Sequence, residues 1–139
     1  MTEASKEEKL REWLATGPFQ EFLGLELISS DLEKKELVLR LPYKPEFERL
    51  PDTGQIHGGV TSALIDVAGD FALIMSLERP IPTINLRIDY LSMGVNTDLI
   101  ATSRVVRAGR SIGVVDVTVT DESEKIIAVG RGCYSTLDR

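Results

Sequence analysis

The sequence predicts an α+β fold, an antiparallel β-sheet packed on one long helix, and three observations carry that prediction. A single apolar run, Val60 to Leu77, has the length of a core helix and follows a Gly-Gly pair. Downstream of it the hydrophobic pattern switches to period two, in stretches separated by the polar turns "RAGR" and "DESE", which have hairpin length and chemistry. Upstream, two more strand-like stretches flank the polar turn "SSDLEKK". The predicted order is helix, two strands, long helix, four strands.

Composition narrows the function classes. With 139 residues, 42% hydrophobic and 27% charged, residues 1–139 are expected to form one ordered domain with a real core. A net charge of -6, with no Lys/Arg block, disfavours a nucleic-acid partner. Cys133 is the only cysteine and His57 the only histidine, so an internal disulfide is excluded and the common zinc sites cannot be assembled. No metal is expected, and Cys133 reads as a buried strand residue. The charged start "MTEASKEEKLREWL" lacks the apolar segment and cleavage site of a secretory signal, which makes the cytoplasm the expected compartment. Asp66 and Asp70 near the centre of the apolar run would be costly in lipid, so no membrane partner is expected.

Residues 5–15, extending to about 16, read as a short amphipathic helix: Ser5 caps it, Glu7 and Glu8 suit its first turn, and Leu10, Trp13 and Leu14 share a face. Gly17-Pro18 ends it, and "PFQEFLG" adds another helical turn. "LELISSDL" and "ELVLRLPY" follow as strands. Residues 42–56, with Pro42, Pro45 and a Pro51-Asp52-Thr53-Gly54 turn, form a loop that leads to His57. Beyond the long helix, Pro80 and Pro82 bar further helix, and Ile84, Leu86, Ile88 and Tyr90 alternate with Thr83, Asn85, Arg87 and Asp89 as a half-buried strand. The remaining strands are expected near 97–107, 111–121 and 125–136.

At 3.6 residues per turn the long helix is apolar over most of its circumference, with one narrow exception: Ser62, Asp66 and Asp70, four apart, stack on a single polar line. A carboxylate buried without partners costs several kcal/mol or takes up a proton, so this line faces water, pairs with cations or serves a site. At the helix start, Gly58 and Gly59 leave the N–H groups of the first turn open to an oxygen-rich ligand. Such N–H groups and the helix dipole suit a developing oxyanion. On spacing alone, Gly-Gly equally well just makes the turn into the helix, with His57 as its cap.

"HGGVTSALID" followed by "TINLRIDYLS" resembles the hotdog-fold acyl-CoA thioesterases of the phenylacetate-degradation type, over about residues 45–136. The specific signature is His-Gly-Gly with an acidic residue nine positions after the His, and "RAGRS" agrees with it in order and spacing. The resemblance implies a long helix wrapped by a strongly curved antiparallel sheet, and subunits that pair sheet to sheet as a homodimer or homotetramer. It matches Asp66 to the catalytic carboxylate, as general base or nucleophile. Gly58 is matched to the N–H that polarises the thioester carbonyl. Thr83 is matched to a hydroxyl that positions water near the carboxylate from the facing subunit. His57 and Gly59 complete the signature, with His57 shaping the loop. The implied substrate is an acyl-CoA, with coenzyme A as part of the substrate and no cofactor.

Two positions depart from the resemblance. Many relatives carry Asn or Gln six residues before the His, where this sequence has Pro51; Asp52 or Gln55 is available to fill that gap. Asp70 stands where relatives often have a small or hydroxyl residue, and it is assigned here to the substrate pocket. Arg104, Arg107 and Arg110 surround the "RAGR" turn, and guanidinium groups suit coenzyme A phosphates; Arg107 and Arg110, flanking the turn, are the better candidates. Two other readings compete with the hydrolase: a non-catalytic acyl-CoA or acyl-carrier binding module, and a hotdog hydratase or dehydratase.

Overall fold

Pro18, placed directly after Gly17, splits the N-terminal helical segment into α1 (Glu3–Thr16) and α2 (Pro18–Leu23). The computed structural model describes residues 2–138. Thr2, rather than Ser5, caps α1: the Thr2 hydroxyl accepts the Ser5 N–H at 3.2 Å, so the helix begins two residues earlier than the sequence indicates. Leu10 and Leu14 point inward from α1, and Gly24 closes α2 in the left-handed conformation that a residue without Cβ adopts freely.

Six strands follow: β1 (Glu26–Asp31), β2 (Glu36–Leu41), β3 (Thr83–Tyr90), β4 (Leu99–Ala108), β5 (Ile112–Thr120) and β6 (Ile126–Ser135). They form one antiparallel sheet in the order β1-β2-β4-β5-β6-β3. The long helix, α3 (Gly58–Leu77), lies on the inner face and contacts β2 through β6, so the sheet curves around it. Leu37, Leu39 and Leu41 of β2 alternate toward the helix, as do Val115, Val117 and Val119 of β5. Each such side chain contributes roughly 1.5–3 kcal/mol by leaving water. By length and composition α3 would cross a membrane, yet ten of its residues are buried inside this sheet. It is the core helix the aspartates led us to expect.

The helix sits close because the sheet offers room at glycines. Leu73 packs over Gly113 and Ile65 over Gly130, and a Cβ at either glycine would lie under 3.0 Å from those side chains. The fully buried Tyr134 of β6 places its hydroxyl between Gly69 of α3 and Gly132 of its own strand. That hydroxyl donates to the backbone carbonyl of Asp66 at 3.0 Å.

Two departures from simple periodicity matter for the site. First, β3 is an edge strand, so its apolar residues are only partly covered: Leu86 and Ile88 are half-buried, whereas Ile84 is 52% and Tyr90 54% exposed. Second, a β-bulge at Ile84 shifts the register: Thr83 pairs with Tyr134 and Leu86 with Gly132, which puts both on the inner face although they are three residues apart. The period-two pattern alone assigns Thr83 to the outer face with Asn85 and Arg87. A similar bulge at Val106 leaves Arg104 and Arg107 on the outer face. Cys133 also faces outward and is partly exposed, not buried as expected, because it pairs with Val114 and Asn85 on that side.

Helix α3 is itself covered unevenly. Val60, Ala63 and Val67 are each only half-buried, so the apolar face beside the Ser62-Asp66-Asp70 line stays partly open within one chain. The close approach at Tyr134 yields a prediction. A Cβ at Gly69 would lie 2.2 Å from the Tyr134 hydroxyl, so Gly69→Ala is expected to destabilise the protein by about 2 kcal/mol or more in urea unfolding. Combined with Tyr134→Phe, which alone costs about 1 kcal/mol, the pair should fall well short of additive.

Candidate active site

The start of α3 is built by its cap. His57 has the extended backbone of an N-cap, its Nδ1 accepts the Gly59 N–H at 2.8 Å, and its own N–H donates to the Phe47 carbonyl at 2.8 Å. The histidine is therefore engaged in holding the loop on the helix. Gly58, the first helical residue, keeps an N–H with no protein acceptor among the described residues. It lines a cavity of about 410 Å³ together with Thr61, Arg49, Tyr90 and Met93. Tyr90, at the end of β3, donates its hydroxyl to the Gly58 carbonyl at 3.1 Å and fixes this turn against the sheet edge.

Asp66 lies two turns further along the helix and is half-buried. The Thr83 hydroxyl donates to its Oδ1 at 2.7 Å, and Tyr134 holds its backbone carbonyl. Sequence reading singles out Asp66 and Thr83 and the structure brings them together, with one difference. The hydroxyl reaches the carboxylate of its own chain, where the resemblance implies a hydroxyl contributed by a facing subunit. The bulge at Ile84 is the reason, since it turns Thr83 toward α3. Gly58 and Asp66 are not brought together: eight residues at a rise of 1.5 Å separate them by about 12 Å along the axis, and the cavity at Gly58 does not include Asp66.

Asp70, one turn beyond Asp66, is the unusual group. Its Oδ1 is buried and has no hydrogen-bond partner among the described residues. Burial first, and the Asp66 charge second, push its carboxyl from an ordinary 3.8 up to about 7. Burial likewise pushes the Tyr134 hydroxyl far up, aided by the nearby Asp66 and Asp70 charges, so it stays a donor at any working pH.

The arginines divide. Arg104 is held by Glu36 at 3.1 Å on the outer face, Arg107 lies on that same face, and Arg110 is exposed in the turn. Register places the turn at the same sheet end as Thr83, because Ala108, Gly113, Tyr134 and Thr83 fall on one row across β4, β5, β6 and β3. Three interstrand steps make that row about 14 Å wide. Neither Arg107 nor Arg110 contacts Asp66. Of the candidates to replace the amide missing at Pro51, Gln55 is engaged, its Oε1 accepting from Arg49 Nε at 2.9 Å. Sequence reasoning missed Arg49, Tyr90 and Tyr134. Only Tyr134 carried a legible signal, as a large aromatic two residues after Gly132 in a strand.

A long helix cradled by a curved six-stranded antiparallel sheet, opening on a Gly-Gly turn and carrying an acid two turns on, is a hotdog thioesterase fold. Residues 53–128 match the Thioesterase superfamily, and the chain belongs to that family. A protein of Halobacterium salinarum, provisionally named an esterase, is 36% identical over 81% of this chain and 80% of its own. The medium/long-chain acyl-CoA thioesterase YigI of Salmonella typhimurium is 31% identical, covering 84% of each chain. The solved structure of the Escherichia coli PaaI protein, from the phenylacetic acid degradation operon, superposes with a TM-score of 0.84 at 22% identity, covering 99% of this chain and 97% of that one.

The raised Asp70 carboxyl has a consequence for stability. The folded protein keeps a proton that the unfolded chain releases near pH 4, so stability from this group is fully present below that pH and is lost as pH rises toward about 7. The loss amounts to roughly 4 kcal/mol at most. Thermal unfolding of wild type and Asp70→Asn from pH 4.5 to pH 8 should therefore show wild type losing ground steadily to the variant. Parallel curves would contradict the assignment.

Proposed function

We propose that the protein is an acyl-CoA thioesterase that hydrolyses a thioester to a free carboxylic acid and coenzyme A, with Asp66 as the catalytic carboxylate. The observation that carries this reading is a half-buried carboxylate oriented by a hydroxyl, Asp66 by Thr83, in a chain whose core helix also opens on an unengaged N–H at Gly58. Relatives named as acyl-CoA thioesterases support the substrate class.

In the general-base route Asp66 takes a proton from water, and the resulting hydroxide attacks the thioester carbonyl. The carbonyl oxygen becomes an oxyanion and is stabilised by the Gly58 N–H and the helix dipole. The tetrahedral intermediate then collapses, the C–S bond breaks, and the coenzyme A thiolate leaves with the bonding pair and takes up a proton. A thioester is already an activated acyl group, so one base and one oxyanion donor suffice. Thr83 holds Asp66 in the geometry this transfer needs.

Because Asp66 and Gly58 of one chain stand about 12 Å apart along α3, they act together only if Gly58 comes from a second copy. Two features support such pairing as a homodimer or as the half of a homotetramer. The β3 edge offers unpaired backbone groups and the exposed Ile84 and Tyr90, and the face of α3 beside Asp66 is only half-covered at Val60, Ala63 and Val67. The cavity at Gly58, with Tyr90 and Met93 in its wall, receives the acyl or pantetheine portion. Arg107 and Arg110 remain the proposed contacts for coenzyme A phosphates, as exposed cations beside the turn at that sheet end.

Thiol release from a panel of aliphatic and aromatic acyl-CoAs tests the assignment. Asp66→Asn should lower kcat by about 10² to 10⁴ and Thr83→Ala by about tenfold. Gly58→Pro removes the N–H while keeping the helix start, since proline suits the first position of a helix and His57 already has the backbone that precedes proline; its Cβ would press on the Tyr90 ring at 3.3 Å, and kcat should fall by about 10² or more. Equal rates for wild type and Asp66→Asn would sink the assigned carboxylate, and saturable binding without turnover would favour a binding module. Sedimentation supplies a second check: Ile84→Lys on the sheet edge should yield monomers and abolish hydrolysis together.

A further inference from the structure

We propose that Asp70 is a positioning residue for the proton transfer at Asp66: it holds a proton beside the catalytic carboxylate, and on releasing it adds a second negative charge that strengthens Asp66 as a base. The inference rests on the thioesterase reading, since it takes Asp66 to be the group that removes a proton from water. It concerns the residue that neither the signature nor the mechanism above uses.

The placement of donors carries it. Asp66 and Asp70 are four apart on one face of α3, where such residues have Cβ atoms roughly 5–6 Å from each other. Two hydroxyls reach this stretch of helix from the sheet, and both serve Asp66. Thr83 on β3 donates to its carboxylate at 2.7 Å and Tyr134 on β6 to its backbone carbonyl at 3.0 Å. Asp70 receives neither, and its buried Oδ1 has no partner among the described residues. An ionised carboxylate is an acceptor only, so these surroundings favour the protonated form of Asp70, while the donors go to Asp66. The pair is thus asymmetric by construction, not two equivalent acids.

The titratable groups facing Asp70 are few. Asp66 lies on its own helix and Tyr134 faces it from β6, with Cys133 next to Tyr134 in that strand. From β3 comes only the neutral Thr83. On the neighbouring strands Arg104 pairs with Glu36 and Asp116 with Arg131 on the outer face, and Arg107 lies on that face as well. No cation therefore compensates a second negative charge on the inner line. Two carboxyls in this relation titrate as a pair, and ionisation of the second favours proton uptake by the first. Hydrolysis gains a dependence on pH through neutrality that a single carboxylate would lack.

Asp70→Asn keeps the shape of the side chain and removes its proton exchange, so it separates this role from packing. With any acyl-CoA that wild type turns over, the ratio of wild-type to Asp70→Asn kcat should climb by about threefold to tenfold between pH 6 and pH 8.5. A ratio constant across that range overturns the proposal. Carboxyl-carbon NMR gives a readout independent of turnover. Asp70 should titrate in the neutral range in wild type, and its midpoint should fall in Asp66→Asn, where the neighbouring charge is gone. An Asp70 that is ionised throughout, or whose midpoint ignores Asp66→Asn, also overturns it. Coupled titration in a wild type that hydrolyses no acyl-CoA would sink the thioesterase reading and leave the proton-holding pair standing.

Discussion

The close approach of α3 to the inner face of the sheet is the constraint on which the rest of the structure depends. It requires small residues where the two layers meet: Leu73 occupies the space above Gly113, Ile65 that above Gly130, and the Tyr134 hydroxyl the gap between Gly69 and Gly132. The last contact joins fold to site, because the same hydroxyl holds the backbone carbonyl of Asp66. A buried hydroxyl without that acceptor would lose about 1–3 kcal/mol, so packing and polar satisfaction fix one helix position together. The carboxylate proposed as the base is thereby carried on an element fixed by the core.

Electrostatics then divides the polar line of α3 into parts with different duties. Ser62 bonds back to the Gly59 carbonyl at 2.9 Å and stays within the helix. Asp66 has its Thr83 donor and a partly open environment. Asp70 has neither donor nor cation and is kept near neutrality of charge by burial. Gly58 contributes no side chain at all, only a backbone N–H at the positive end of the helix dipole. From Gly58 to Asp70 these groups spread over about 18 Å of one helix; on the proposed reading they are two half-sites, which two copies of the chain related by a two-fold axis would join.

Much of this was legible in the sequence, because local pattern and local structure agree there. The α3 boundaries follow from Gly58-Gly59 and the apolar run, and the hairpins around "RAGR" and "DESE" follow from period two and turn chemistry. The family is legible in His57-Gly58-Gly59 with Asp66 nine residues on, and the matched residues 53–128 agree with it. What was not legible depends on contacts distant in sequence or on a one-residue irregularity. Thr83 looks outward by alternation and turns inward only through the bulge at Ile84. Tyr134 finds Gly69 across 65 positions of chain, and no window of sequence reports that. The carboxylate pair was visible as spacing, but the allocation of both hydroxyls to Asp66 was not. Ser5 masks the N-cap at Thr2 in the sequence, because it is an equally good capping residue three positions on and bonds Thr2 in the fold.

Subunit mixing measures directly whether Asp66 and Gly58 act across two chains. Asp66→Asn and Gly58→Pro chains, each nearly inactive alone, are unfolded, mixed in equal amounts and refolded together. If each site takes Asp66 from one chain and Gly58 from the other, a mixed dimer has one site with both defects and one intact. Half the dimers are mixed and each has one working site of two, so activity should return to about a quarter of wild type. If both groups act within one chain, every site retains a defect, and the mixture will be no more active than the average of its two components.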